Sequence, residues 1–122
     1  MFLKTSIKAV GPDVADLVDS GVLILFAEGA PPELAEVSVL HKVDLMGDKA
    51  PQPGDKIVIG KLAATITAIG PAAWQKVKDI GHVVINFNDA KSAERPGEIC
   101  ATILAPADIM ANLKAGNIIS IS

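Results

Sequence analysis

Ser6-Ile7-Lys8-Ala9-Val10-Gly11-Pro12 returns later in the chain as Thr65-Ile66-Thr67-Ala68-Ile69-Gly70-Pro71. The likeness resumes where Asp19-Ser20-Gly21-Val22-Leu23-Ile24 lies over Asp79-Ile80-Gly81-His82-Val83-Val84. Further on, Glu36-Val37-Ser38 falls over Glu98-Ile99-Cys100, and Gly54-Asp55 over Gly116-Asn117. The offset drifts only from 59 (Ile7 to Ile66) to 62 (Glu36 to Glu98), which short loop insertions accommodate. Whatever the halves share is therefore mostly fold, and whatever differs is a candidate for function. His41 differs: on this alignment its counterpart is Ile103.

Each half opens on an alternating strand, Leu3–Val10 and Leu62–Ile69. Gly-Pro follows, placing Pro at the first helical position of two short helices, Asp13–Ser20 and Ala72–Ile80, which Gly21 and Gly81 close as left-handed caps. Dense β runs come next, Val22–Phe26 and His82–Phe87. A third strand is expected over Ala35–Met46 and over Glu98–Leu104, and a fourth over Lys56–Ile59 and Ile118–Ile121. The Pro- and Gly-bearing stretch from Gly47 to Gly54 reads as a loop, whereas its counterpart, Pro106–Lys114, reads as a short helix. With about four apolar strands per half, closure is the natural way to hide the sheet edges. The expectation is a mainly β fold: a closed barrel or pseudobarrel of two tandem repeats with pseudo-twofold symmetry and short connecting helices.

A chain of 122 residues suits one domain, 1–122, in which repeats of about 1–61 and 62–122 share a core neither could bury alone. Half of the residues are hydrophobic, yet only three Phe, one Trp and no Tyr are present, so Val, Ile, Leu and Ala must build that core. Few aromatics, a net charge of −3 and a single Arg at position 95 argue against a nucleic-acid partner, which needs stacking platforms or a basic stripe. The lone Cys100 lies between Ile99 and Ala101 and reads as a small core residue in a reducing compartment. No C-x-x-C or His/Cys pair suggests a metal. Met1-Phe2-Leu3-Lys4 lacks a signal-peptide layout, and the uncharged run Leu62–Gln75 is too short for a membrane span, so a cytoplasmic location is expected.

On the expected third strand, Val37, Val39, His41, Val43 and Leu45 share one face, so His41 stands between valines. A buried histidine held by one backbone hydrogen bond fits that position. So does a nucleophile in an apolar socket, because imidazole is half-neutral near pH 7 and forms a labile phosphoramidate. His82 sits at a strand start after Gly81, where a solvent-facing or supporting role is the simpler expectation. No Gly-x-Ser-x-Gly elbow and no phosphate-binding Gly-rich loop is present, and most of the carboxylates fall on loops or polar faces.

Several segments recur in order along nearly the whole chain: Gly11 with its Asp-rich helix, Ile24-Leu25-Phe26-Ala27-Glu28-Gly29-Ala30-Pro31, Leu40-His41, and Gln52-Pro53-Gly54. Thr67-Ala68-Ile69-Gly70, Ile80-Gly81-His82-Val83 and Pro96-Gly97 continue the series. In these the chain resembles the glucitol/sorbitol-specific IIA component of the bacterial sugar phosphotransferase system. The resemblance implies a phosphotransferase component whose phosphorylated histidine is His41; His82 stands beside it as the possible supporting residue of the sequence reading. It implies a relay in which the histidine-containing phosphocarrier protein supplies the phosphoryl group. The IIB part of the IIB/IIC membrane permease then takes it, so membrane contact runs only through the permease. It implies no cofactor and no metal. The alternative from another class is a non-catalytic β-barrel binding or regulatory module whose His41 is structural.

Overall fold

The computed structural model describes residues 1–122. Its elements run β1 (Leu3–Val10), α1 (Val14–Asp19), β2 (Val22–Ala27), α2 (Pro32–Val37), β3 (Val39–Met46) and β4 (Lys56–Ile59). The second half gives β5 (Leu62–Ile69), α3 (Ala73–Ile80), β6 (Val83–Asn86), β7 (Glu98–Ala101), α4 (Pro106–Asn112) and β8 (Ile118–Ile121). The strands close into a barrel in the order β1-β3-β2-β6-β7-β5-β4-β8. Raising every first-half strand number by four, and lowering every second-half one, returns the same ring read backwards. That is the signature of a pseudo-twofold axis passing between β2 and β6 and between β4 and β8. None of the four helices is long and apolar enough to cross a membrane.

Equivalent details extend to single hydrogen bonds. Lys8 in β1 and Thr67 in β5 each stand unopposed at a register shift, as β-bulges at matching places. The Gly11 N–H donates to the Ser38 carbonyl at 3.0 Å, and the Gly70 N–H to that of Glu98 at 2.7 Å. The halves also interlock. Gly54 N–H donates to the Ile66 carbonyl, and Gly116 N–H to that of Ile7, both at 2.8 Å, so the turn before each fourth strand is tied to the opposite half's first strand.

Alternation along the strands sends Leu3, Ile7, Leu23, Leu25, Val39, Ile57, Ile66 and Ile85 into the core, each at most 1% exposed. Val14 and Val18 of α1, Trp74 and Val77 of α3 and Ile109 of α4 join the same cluster. A fully buried Leu or Ile contributes about 1.5–3 kcal/mol, so aliphatic side chains alone can hold such a core. Cys100 is also fully buried; its thiol donates to Glu98 Oε1 at 2.9 Å.

Five sequence expectations need correction. The third strand does not begin at Ala35: Pro31-Pro32 starts a helix, α2, with Pro in its first turn and Glu33 favourably placed at the positive end of its dipole. Nothing on α2 is buried, so apolar periodicity carried no trace of it. Val37 thus leaves the face of His41, and a register shift near Asp44 turns Leu45 outward to 44% exposure. The strand expected over Glu98–Leu104 stops at Ala101, and Ile103 is 70% exposed. Pro12 and Pro71 precede the N-caps Asp13 and Ala72; each follows a glycine in a turn closed by Val14 N–H to Gly11 O or Ala73 N–H to Gly70 O. Finally, Ile7 pairs with His41 and Ile66 with Ala101, so the counterpart of His41 is Ala101, and Ile103 lies two residues further on.

The tightest point of the fold is the paired crossing. A Cβ on Gly11 would sit 2.2 Å from the Ala35 carbonyl oxygen, and one on Gly70 2.3 Å from that of Pro96. Because the obstacle is backbone, Gly11→Ala and Gly70→Ala should each lower the unfolding free energy by about 3 kcal/mol. Urea denaturation measures this, and a loss at only one site would contradict the equivalence of the halves. Burial and the Glu98 carboxylate push the Cys100 thiol up to about 12. The folded protein should therefore leave a thiol reagent unconsumed until denaturant is added.

Candidate functional site

β3 carries His41 on its inward face, where β2 lies parallel to it (Ala27 opposite His41) and β1 antiparallel (Ile7 opposite His41). The imidazole is 1% exposed. It lies in the floor of a depression of about 450 Å³ whose apolar wall includes Val43, Met46, Val77 and Ile80. Lys42, Lys78, Glu28 and Asp79 complete the lining, and Lys78 Nζ is held at 2.9 Å by the Asp48 carbonyl of the 47–54 loop. The socket foreseen from the strand pattern is present with Val43 in its wall, whereas Val39 is buried in the core and takes no part in the lining.

Both ring nitrogens are engaged. Nε2 lies 2.7 Å from the Gly81 carbonyl oxygen, and Nδ1 lies 2.6 Å from Thr5 Oγ1. A carbonyl only accepts, so Nε2 carries a proton. Burial pushes the His41 pKa below its ordinary value, against the opposing pull of the Gly81 carbonyl, and so favours the neutral ring. Nδ1 then offers its lone pair to the Thr5 hydroxyl. Thr5 Oγ1 is also 2.7 Å from the Lys42 carbonyl, and its one proton serves only one of these two acceptors at a time.

Gly81 is the left-handed cap of α3, at φ +64°, and a Cβ there would meet the Ala27 methyl at 2.9 Å. The cap turns the last helical carbonyls away from the strand and leaves Gly81 O facing His41. In the other half, Gly21 O accepts the Phe87 backbone N–H at 2.8 Å. The repeats thus make the same turn and use its carbonyl differently.

Sequence reasoning missed Thr5, although a signal for it exists. The offset of 59 that carries Ile7 to Ile66 carries Thr5 to Ala64. Thr5 and His41 are therefore both replaced by alanine in the second half, at Ala64 and Ala101. By the same register Ala27 corresponds to Phe87, a 4% exposed ring that supplies the volume the alanines lack. His82 is not in the depression. Its ring packs against Phe26, centroids 5.2 Å apart, and its pKa is lowered by partial burial and by Lys76. The two histidines are linked only through the chain, since His41 bonds the residue before His82.

Both histidines titrate below 6.5 in the folded chain. The unfolded chain therefore binds more protons just below that pH, and stability falls as the pH drops through 6.5, with no contribution from either ring well above it. The urea midpoint should be lower at about pH 5.5 than at about pH 7.5, and His41→Gln should shrink that difference. An unchanged pH dependence in the variant would mean that His41 is not held neutral.

The family described as "PTS system glucitol/sorbitol-specific IIA component" matches residues 2–120. Proteins named glucitol/sorbitol-specific EIIA component of the PTS system, from Escherichia coli (strain K12) and from Shigella flexneri, are each 33% identical over 107 residues. Those alignments cover 87% of this chain and 85% of each relative. A crystal structure of a PTS system IIA component from Enterococcus faecalis V583 superposes with a TM-score of 0.80, at 22% identity, over 96% of this chain and 97% of that one, and so shares the barrel fold. With a family match over almost every residue and relatives a third identical, the chain belongs to the glucitol/sorbitol-specific IIA components of the sugar phosphotransferase system.

Proposed function

We propose that His41 carries the phosphoryl group in this role. The histidine-containing phosphocarrier protein donates it, and the IIB part of the sugar-alcohol permease receives it at the cytoplasmic face of the membrane. The two repeats act as one domain, 1–122, and no cofactor or metal takes part, because donor and acceptor are protein side chains. The observation that carries this reading is the loss of symmetry: Thr5 and His41 stand under a surface depression in one half only, and alanines replace them in the other.

The physical setting supports it. A neutral imidazole is the nucleophilic form, and burial favours neutrality. Apolar walls exclude water, which slows hydrolysis of a phosphoramidate, and they offer a small patch for partners that must leave quickly. His82, half-buried against Phe26 and outside the depression, is left a supporting or structural part.

The second reading is a binding or regulatory barrel in which His41 is structural, and the engagement of both its ring nitrogens favours it. Labelling with the phosphorylated carrier protein separates the two. His41→Ala should abolish acid-labile phosphate uptake while the fold persists, and His82→Ala should keep at least part of it. Normal uptake by the His41→Ala protein would refute the assignment and make His82 the candidate.

A further inference from the structure

The hydrogen bonds around His41 form two mutually exclusive sets, and Thr5 is the member they share. With the proton on Nε2, that nitrogen donates to Gly81 O and the Thr5 hydroxyl donates to Nδ1, so the Lys42 carbonyl goes without the Thr5 proton. With the proton on Nδ1, Nδ1–H donates to Thr5 Oγ1 and the Thr5 hydroxyl donates to Lys42 O. The second set leaves Nε2 with a lone pair aimed at a carbonyl oxygen, an arrangement that is repulsive until that lone pair finds another partner. Thr5 is 0% exposed and lies between Leu3 and Ile7 on the inward face of β1, so water does not substitute for its hydroxyl.

We infer that Thr5 is the positioning residue of the transfer: it holds the Nδ1 proton so that the Nε2 lone pair takes the phosphoryl group, while the Gly81 carbonyl gives way. This rests on His41 being the carrier. Moving from the resting set to the reactive one takes one proton from Nε2 and places one on Nδ1, both exchanged with bulk water while the ring is turned out of its bonds towards the depression, so the imidazole is neutral before and after. The Nε2 lone pair then forms the N–P bond as the donor's P–N bond breaks, and that bond's electron pair returns to the donor nitrogen. Each ring keeps the proton on its other nitrogen throughout, so no net proton is released. In the phosphorylated ring the chain from Nδ1–H through Thr5 to Lys42 O is complete, and the phosphoryl group occupies the side of the ring that the Gly81 carbonyl had bonded.

The geometry favours Nε2 over Nδ1 as the attacking atom. Nδ1 is directed at fully buried Thr5, whereas Nε2 is directed at Gly81, which lines the surface depression. The second half offers no rival, because Ala64 and Ala101 carry neither hydroxyl nor imidazole.

The test is nitrogen NMR on protein with labelled histidines, before and after reaction with the phosphorylated carrier protein, combined with uptake rates for Thr5→Val and Thr5→Ser. Expected are a phosphorus–nitrogen coupling at His41 Nε2 and a protonated Nδ1 in the phosphorylated protein. Thr5→Val should slow uptake by at least about tenfold with the label still on His41, and Thr5→Ser should recover most of the rate. Phosphorus on Nδ1, or wild-type uptake by Thr5→Val, overturns the inference. A purely structural Thr5 would lower stability and leave the uptake rate unchanged. The nitrogen assignment in the phosphorylated wild-type protein decides the matter even if Thr5→Val does not fold. Label on His82 would overturn the carrier assignment and this inference with it, whereas label on His41 Nδ1 overturns this inference alone.

Discussion

Two backbone crossings hold the barrel in register. At Gly11 the chain leaving β1 passes so close to residues 35 and 36 that a single Cβ would collide with carbonyl oxygens, and at Gly70 the same happens against residues 95 and 96. Each crossing brings the segment that precedes β3 or β7 onto the end of the first strand, and the neighbouring β-ladder follows from that contact. It also launches α1 and α3 from turns whose first carbonyl belongs to the same glycine. The position of Gly81, and with it the carbonyl that meets His41, is a consequence of where α3 starts and how long it runs.

On this scaffold the chemistry is a local departure from symmetry. The second half shows what the position looks like when only packing matters: two alanines and a phenylalanine, whose backbone N–H satisfies the Gly21 carbonyl of the first half. The first half has a hydroxyl, an imidazole and an alanine, and the equivalent carbonyl, Gly81 O, reaches it from the second half. The exchange keeps the interior filled, so a polar pair was accommodated without opening a void. Its cost is that two polar side chains lie inside an aliphatic barrel, where every donor and acceptor must find a partner. Thr5, Lys42 O and Gly81 O are those partners.

Much of this was legible in the residues. The Ile-x-Ala-x-Gly-Pro repeat located both first strands to the residue, the bounds Leu3–Val10 and Leu62–Ile69 agreeing with the structure, and the closed barrel followed from how apolar the strands are. What escaped had physical reasons. α2 buries nothing, so no apolar period marks it. The bulge near Asp44 breaks the alternation by which Leu45 would share the face of His41. The alignment of the third strands slipped by two residues because Glu36-Val37-Ser38 and Glu98-Ile99-Cys100 are alike in type while one is helical and the other extended. Thr5 was visible as a threonine among inward-facing aliphatics, but its meaning depended on knowing that β1 and β3 are neighbours.

The ring order has a kinetic side. β4 and β8 are each neighbours of the opposite half's first strand, β5 or β1, and of one another, so neither repeat can complete its own wall. β1 waits for a partner more than a hundred positions away, at Ile118 to Ile121. During synthesis the first repeat emerges with the edge of β1 bare, and closure is deferred until β8 has left the ribosome. A topology so rich in distant pairings belongs with slow folders, for which exposed edges before closure are the main hazard. Assembly therefore ends with β8, whose Ile119 lies opposite Thr5, so the wall that seals the Thr5–His41 pair from one side is the last to be laid.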